Sequence, residues 1–400
     1  SRLNIVNQNK NSNQPFKFNE YIIIFNGEIY NQIKLREKLK KLGIKFKTTS
    51  DTEIILQLFI LYGENCHKYM EGMWSFVIYN TKNNKIFLSR DRFGEKPFLY
   101  FTYGENFYFG SQHSFIQSLY EKKIDVNLDH LKDYLNLGYR SLYKYGETFF
   151  EKIKNFPKSS FAHFRIGKKL NFKSYWALNY KKDRNLTEQD AIEITRSKLI
   201  NSLEQQVNTN VPSGLCLSGG LDSVILASIT KRIFNKDIRT YSIVNDKDGR
   251  YSEKLQINKV VKDLDIDNIQ LNIKKSKNLN KLESIIAYNC SPISTINYYN
   301  HSNLMDRMKK DKIKVSLLGT AADELFAGYY DHYLLQIGAL SNDKNKSISN
   351  ARIKDFNKFI LKFVKNSKFK DPHRYIKNPD TRDHLYDGRH FLNDFFHQPS

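Results

Sequence analysis

The hexapeptide Ser218-Gly219-Gly220-Leu221-Asp222-Ser223 carries the strongest chemical signal in the sequence. It follows the apolar run 214–217 and precedes the apolar stretch 224–229, which places it on a strand-to-helix turn. Two glycines let a backbone approach an anion, two hydroxyls and the loop amides can face inward, and a helix N-terminus adds partial positive charge. Pyrophosphate is the group such a turn suits. Glycine-rich turns also serve as plain caps, but the full hexapeptide in this setting favours a phosphate.

A second turn, Leu317-Leu318-Gly319-Thr320-Ala321-Ala322-Asp323-Glu324, again runs from an apolar stretch through small residues into a helical pattern. Small residues leave room for a ligand. Asp323 and Glu324 either face it or merely complement the helix dipole. In the first half, the apolar run 21–25 meets Asn26-Gly27, a pair that predicts a tight turn before a helix through Leu35, Leu39 and Leu42. Ser50-Asp51-Thr52-Glu53 reads as a capping box before the apolar run 54–61.

These residues need a scaffold. With 400 residues, two domains are expected. Short strands with turn signals recur at 74–79, 86–89, 98–103 and 107–110, so the first half is largely antiparallel with helices added. After a polar stretch at 180–186, apolar runs at 214–217, 240–244 and 314–318 alternate with helical stretches, as in a parallel α/β sheet. The boundary is placed there, giving domains 1–180 and 187–400.

The balance of 64 Lys and Arg against 42 Asp and Glu gives +22. The lysines are scattered and interleave with no aromatic stripe, which argues for compositional bias over a nucleic-acid groove. Cys66, Cys216 and Cys290 lack zinc or disulfide spacing, and Cys216 alternates with apolar neighbours as a small buried hydrophobe. With no run of about 18 apolar residues and no signal-like start, a cytoplasmic protein without membrane partners is expected.

The hexapeptide resembles the PP-loop of ATP-pyrophosphatases, and the turn at 317–329 resembles the asparagine synthetase segment that contacts ATP and the acyl-adenylate. Asn26-Gly27-Glu28-Ile29-Tyr30-Asn31 resembles the class II glutamine amidotransferase motif. Together they resemble the glutamine-hydrolysing asparagine synthetases. That resemblance implies an Ntn-type antiparallel αββα amidotransferase domain followed by a parallel-sheet α/β PP-loop synthetase domain. It implies an oxyanion hole at Asn26 and Gly27, which accounts for a side-chain amide beside a glycine. Glutamine would be held by Arg2, Asn26, Glu28 and Asp51, with Arg2 on the carboxylate and Asp51 on the amino group. ATP would contact Leu217, Ser218, Gly219, Gly220, Asp222, Ser223, Ile243, Leu318 and Gly319, with Asp323 catalytic. Tyr251-Ser252-Glu253 resembles a further family element, and residues 90–97 match another, with a structural role. ATP and Mg²⁺ are the implied cofactors, aspartate or a related carboxylate the acceptor, and the resemblance admits a homodimer.

Departures are as informative. The family's N-terminal Cys nucleophile and a Gly-Pro segment have no match upstream of Arg2, and a late segment with Arg, Asp and Lys has none before Ser400. The expectation is a stretch cut at both ends and inactive by itself. Leu318 and Thr320 stand where the family has Ser and Glu, so the usual base for ammonia is missing. Three alternatives stay open: an amidotransferase acting on a sugar or secondary-metabolite acid, an RNA-modifying or RNA-binding PP-loop protein, and a non-catalytic remnant.

Overall fold

The computed structural model describes residues 13–142, 146–165, 167–179, 185–207, 211–244, 253–272, 278–341 and 346–378. Arg2 and the Tyr251-Ser252 pair lie outside them. The chain forms two compact units, 1–131 with 139–317, and 132–138 with 318–400.

The first unit begins with β1 (Phe16–Phe18), β2 (Tyr21–Ile29), α1 (Gln32–Lys41), α2 (Asp51–Tyr62), β3 (Gly72–Asn80) and β4 (Lys85–Arg90). The chain continues through β5 (Leu99–Tyr103), β6 (Asn106–Gly110), α3 (His113–Tyr120), α4 (Leu128–Leu137), whose residues from Lys132 count with the second unit, and then β7 (Lys154–Asn155), β8 (Ser160–Phe164) and β9 (Asn171–Ser174) of the first. Strands β1-β2-β3-β4-β8-β9 make one antiparallel sheet and β6-β5-β7 a second.

Side-chain parity then builds the layers. Along β2, Ile23 and Phe25 are buried on one face while Ile24 and Asn26 show on the other, the period of two that a strand imposes. The first face packs on Leu35 and Leu39 of α1 and Ile54, Ile55 and Leu58 of α2. On the opposite side, Val77 and Leu88 meet Phe98 and Phe156. Beyond the second sheet, Leu99 and Phe101 meet Ile116 of α3. The order is helix, sheet, sheet, helix, the expected αββα arrangement.

The pairing pattern changes further along. α5 (Glu188–Val207), β10 (Ser213–Cys216), α6 (Leu221–Ser228), β11 (Arg239–Val244), α7 (Lys254–Leu264), β12 (Asn268–Asn272), α8 (Asn278–Asn289), α9 (Ile296–Lys310) and β13 (Val315–Leu317) follow. Their sheet is parallel, in the order β12-β11-β10-β13. The α/β class expected for this half is the one observed. Strand β12, Asn-Ile-Gln-Leu-Asn, carries too little apolar signal to be read as a strand and lies at the sheet edge.

In the second unit, α10 (Ala322–Phe326) and α11 (Tyr330–Ala339) are followed by α12 (Lys346–Asp355) and α13 (His373–Lys377). Leu334 and Ile337 of α11 share a small core with Ile353, Phe356 and Tyr375.

Two local readings are corrected. Asn26-Gly27 is not a turn, because β2 runs straight through it to Ile29 and Gly27 pairs with Trp74 of β3. Ser50 does cap α2, accepting from Thr52 N at 3.2 Å, but Glu53 does not close a capping box. Its carboxylate accepts instead from Lys47 N at 2.8 Å and from Thr48 N at 2.6 Å, and so ties down the incoming loop.

His67 sits in the aromatic core. Its ring stacks on Tyr175 at 4.2 Å, lies near Trp74, Phe87 and Phe161, and meets Ser89 Oγ through Nε2 at 2.8 Å. Burial holds the imidazole neutral and pushes its pKa down to about 4. A depressed pKa means this contribution is complete above the ordinary value of 6.5 and is lost as pH falls toward 4. The chain should lose roughly 3 kcal/mol through this ring over that window. Denaturant titrations from pH 7 to pH 4 should show a flatter acid limb for His67→Phe than for the parent, and equal slopes would refute the assignment.

Candidate functional site

The antiparallel sheets hold one cluster. Asn26 and Glu28 share a face of β2, opposite Ser75 and Met73 of β3. Asn26 opens onto an apolar groove of about 480 Å³ walled by Ile24, Val77, Phe107, Phe109 and Phe115. Gly27 is held by close approach: a Cβ there would lie 2.1 Å from Met73 O and 2.8 Å from Trp74 Cα. Gly72 mirrors it, since its Cβ would lie 2.2 Å from Glu28 O.

Asp51 reaches the cluster from the first residue of α2. Its Oδ2 accepts from Ile29 N at 3.4 Å, and its Oδ1 accepts from Thr52 N at 2.9 Å. Glu28 and Asp51 are both buried. Burial first, then the Asp51 charge, raises Glu28 to about 7, while Lys96 works in the other direction. Two neighbouring buried carboxylates, with Glu28 poised near neutrality, have the chemistry to accept an ammonium group. The sequence reading placed both residues here, and Arg2 lies outside the described residues.

The segment after β4, matched in the sequence with a structural role and no catalytic one, packs beside this cluster. Asp91 accepts from Trp74 N, Phe93 N, Glu95 N and Lys96 N at 3.2, 3.0, 2.9 and 3.0 Å. Arg90 donates to the carbonyls of Gly94, Lys96 and Phe156 at 2.8, 2.8 and 2.7 Å. Ser75 Oγ donates to Pro97 O at 3.0 Å. The loop is therefore clamped beside Asn26 and Glu28. The available signal was the density of paired charges around Gly94-Glu95-Lys96-Pro97.

The phosphate-type turn has the expected context, between β10 and α6. Gly219 takes φ +76°, and a Cβ there would press on Gln256 and Ile257 of α7 at 3.2 and 3.3 Å. Gly220 caps α6. The hydroxyls of Ser218 and Ser223 meet at 3.1 Å, Ser223 Oγ accepts from Ser218 N at 3.1 Å, and Ser218 Oγ accepts from Gly220 N at 3.3 Å. The turn is thus pre-shaped. Asp222 is half-buried in the first turn of α6. Leu217 packs in the core, Ile243 lies half-buried on β11, and Cys216 meets Ser316 Oγ at 3.5 Å.

In the second unit, Leu318 and Gly319 are half-buried and Asp323 lies in α10. Asp323 O accepts from Gly328 N at 2.8 Å, and Gly328 has no room for a Cβ, which would lie 1.9 Å from Asp323 Oδ1.

Residues 1–176 match the family profile of the glutamine amidotransferase domain, and residues 195–392 match that of asparagine synthase. The chain belongs to the glutamine-hydrolysing asparagine synthetase family. Asparagine synthetase [glutamine-hydrolyzing] 1 of Bacillus subtilis is 31% identical over 334 residues, covering 82% of this chain and 51% of the relative. Asparagine synthetase 3 of the same organism is also 31% identical, over 78% of this chain and 52% of its own length. Amidase chyE of Penicillium rubens is 23% identical over 82% of this chain and 50% of its own length. The chain spans about half the length of these relatives.

Within this synthetase-family chain, Cys66 is buried and its thiol is pushed up to about 12 by burial, the opposite of an activated nucleophile. Among the described residues, no group of three or more His, Cys, Asp or Glu is placed to hold a metal, so they do not by themselves make a Mg²⁺ site. No helix among them is long and apolar enough to cross a membrane.

Proposed function

We propose that the protein amidates an adenylated carboxylate with nitrogen from glutamine, using ATP and releasing AMP and pyrophosphate. The observation that carries this is the pairing, in one chain, of the Asn26-Gly27-Glu28-Asp51 cluster with the Ser218–Ser223 turn. Division into an amidotransferase half at 1–180 and a synthetase half at 187–400 is supported by the change from antiparallel to parallel pairing.

Each half has its chemistry. Asn26 and the Gly27 amide would stabilise the oxyanion as the glutamine amide is attacked, and Glu28 with Asp51 would hold the amino group. Cys66, buried and with its thiol pushed up to about 12, is not suited to be the attacking thiol. Ser218, Gly219, Gly220 and Ser223 would hold the pyrophosphate, with Leu217, Ile243, Leu318 and Gly319 toward the nucleotide. Asp323 would act at the adenylate, and Mg²⁺ enters only as the triphosphate's counter-ion. Three free cysteines fit a reducing cytoplasm.

Aspartate is the first-choice acceptor. Leu318 and Thr320, together with a relative named as an amidase, favour another carboxylate as the second. ATP–pyrophosphate exchange by the full-length protein, with ammonia and a panel of acids, tests this. Aspartate-dependent exchange is the expected result. Exchange with a sugar acid but not with aspartate would overturn the acceptor, and exchange with no acid would overturn the synthetase reading.

A further inference from the structure

Two hydroxyls on one face of β11, those of Thr240 and Ser242, are 0% and 1% exposed. A buried hydroxyl costs stability unless it is bonded, so each needs partners. Asn268 of β12 supplies both with a donor, its Nδ2 reaching Thr240 Oγ1 and Ser242 Oγ at 2.9 Å each. The hydroxyl hydrogens are then left to point away from Asn268. Thr240 donates to Asp267 O at 2.8 Å, and Ser242 donates to Leu217 O at 2.7 Å.

Those two bonds differ in what they hold. The first joins β11 to the residue before β12. The second leaves the strand ladder, because Cys216 is the last residue of β10 and Leu217 opens the phosphate-type turn. Leu217 O shares a planar peptide with Ser218 N–H, which donates to Ser223 Oγ at 3.1 Å. One peptide is thus held at both edges, by Ser242 from the core and by Ser223 from α6. Leu217 N is fixed as well, donating to Tyr241 O at 2.8 Å. Ser223 Oγ in turn donates to Gly220 O at 3.1 Å, so the same peptide plane sets the hydroxyl that closes the turn. A rotated peptide would bring the Leu217 carbonyl toward the Ser218 and Ser223 hydroxyls, where its negative end would repel a phosphate.

We propose that Ser242, oriented by Asn268, is a positioning residue of the nucleotide site: its hydroxyl locks the Leu217–Ser218 peptide and so pre-shapes the turn for pyrophosphate. This rests on reading Ser218–Ser223 as the pyrophosphate site. Ser242 acts through the peptide and not on the nucleotide. A purely structural hydroxyl would support every ligand alike, whereas this lock matters only to a ligand that enters the turn.

Calorimetric titration of the full-length protein with ATP and with AMP, both in the presence of Mg²⁺, tests it, since AMP lacks the pyrophosphate. The parent should bind ATP more tightly than AMP. Ser242→Ala removes the donor and should weaken ATP about tenfold while leaving AMP within about twofold. Ser242→Thr retains the hydroxyl and should restore most of the ATP affinity. Ser242→Cys, with a weak S–H donor in a similar volume, should weaken ATP about threefold and covers the case in which Ser242→Ala fails to fold. Equal weakening of ATP and AMP, or an ATP affinity unchanged in the Ala and Cys variants, would make Ser242 a core residue and overturn the proposal alone. A parent that binds ATP no more tightly than AMP would overturn the pyrophosphate reading of the turn and the proposal with it.

Discussion

Gly27→Ala should unfold the centre of the first sheet and, on the proposed function, displace an oxyanion donor in the same step. The added methyl would stand 2.1 Å from Met73 O, 2.7 Å from Phe25 Cε2 and 2.8 Å from Trp74 Cα. Two of those atoms belong to the backbone of β3, which cannot rotate away as a side chain could. Strands β2 and β3 would have to part where they are most extensively paired, between Tyr21↔Asn80 and Ile29↔Gly72. A loss of about 3 kcal/mol or more is expected, at the upper end for overpacking. On the proposed function, displacing the Gly27 amide from an oxyanion should cost a further hundredfold or more in glutamine hydrolysis by the full-length protein. Urea unfolding reads the first effect directly. Gly43→Asn is the control, since Gly43 has φ +85° with nothing near its Cβ and Asn tolerates that region. Similar midpoints for the two variants would show that the close approach does not matter.

The same glycine marks how far the sequence could be read. The Ser218–Ser223 turn was legible because its determinants are local: a strand, two glycines and two hydroxyls within six residues, closing on one another at about 3 Å. Gly27 was misread as a turn residue because its constraint is a carbonyl on a strand forty-six positions away. Glu53 misled in the same manner. Its spacing from Ser50 satisfied the capping pattern, yet the loop amides of Lys47 and Thr48 compete for the carboxylate.

The candidate glutamine cluster extends this distinction. Asn26, Glu28 and Asp51 were identifiable from residue type and resemblance, but their mutual electrostatics required the register of β2 on β3 and the start of α2. The segment 90–97 was matched with a structural role, but its clamp was not legible, because the clamp is made by Arg90, Asp91 and Ser75 on backbone groups of that loop. A run of charges around a glycine and a proline looks like a solvated turn. Only the clamp distinguishes it.

Asp91→Ala should therefore be the most damaging change outside the two motif sites. Asp91 is 1% exposed and its two oxygens accept from four backbone amides, those of Trp74, Phe93, Glu95 and Lys96. An alanine leaves these donors without their acceptor, at about 1–3 kcal/mol for each that water cannot reach. With Trp74 in the sheet interior and the other three on a partly wetted loop, a total near 4 kcal/mol is expected. Asp91→Asn is the instructive companion. It keeps the volume and one accepting oxygen but turns an NH₂ toward amide donors, so it should recover less than half of the loss. Because the clamped loop lies beside Asn26 and Glu28, Asp91→Asn should on the proposed function also weaken glutamine binding, while the ATP binding proposed for the Ser218–Ser223 turn is unchanged. Loss of stability with unaltered glutamine affinity would separate the two roles, leaving Asp91 as a strut of the sheet and the loop free to find its own place.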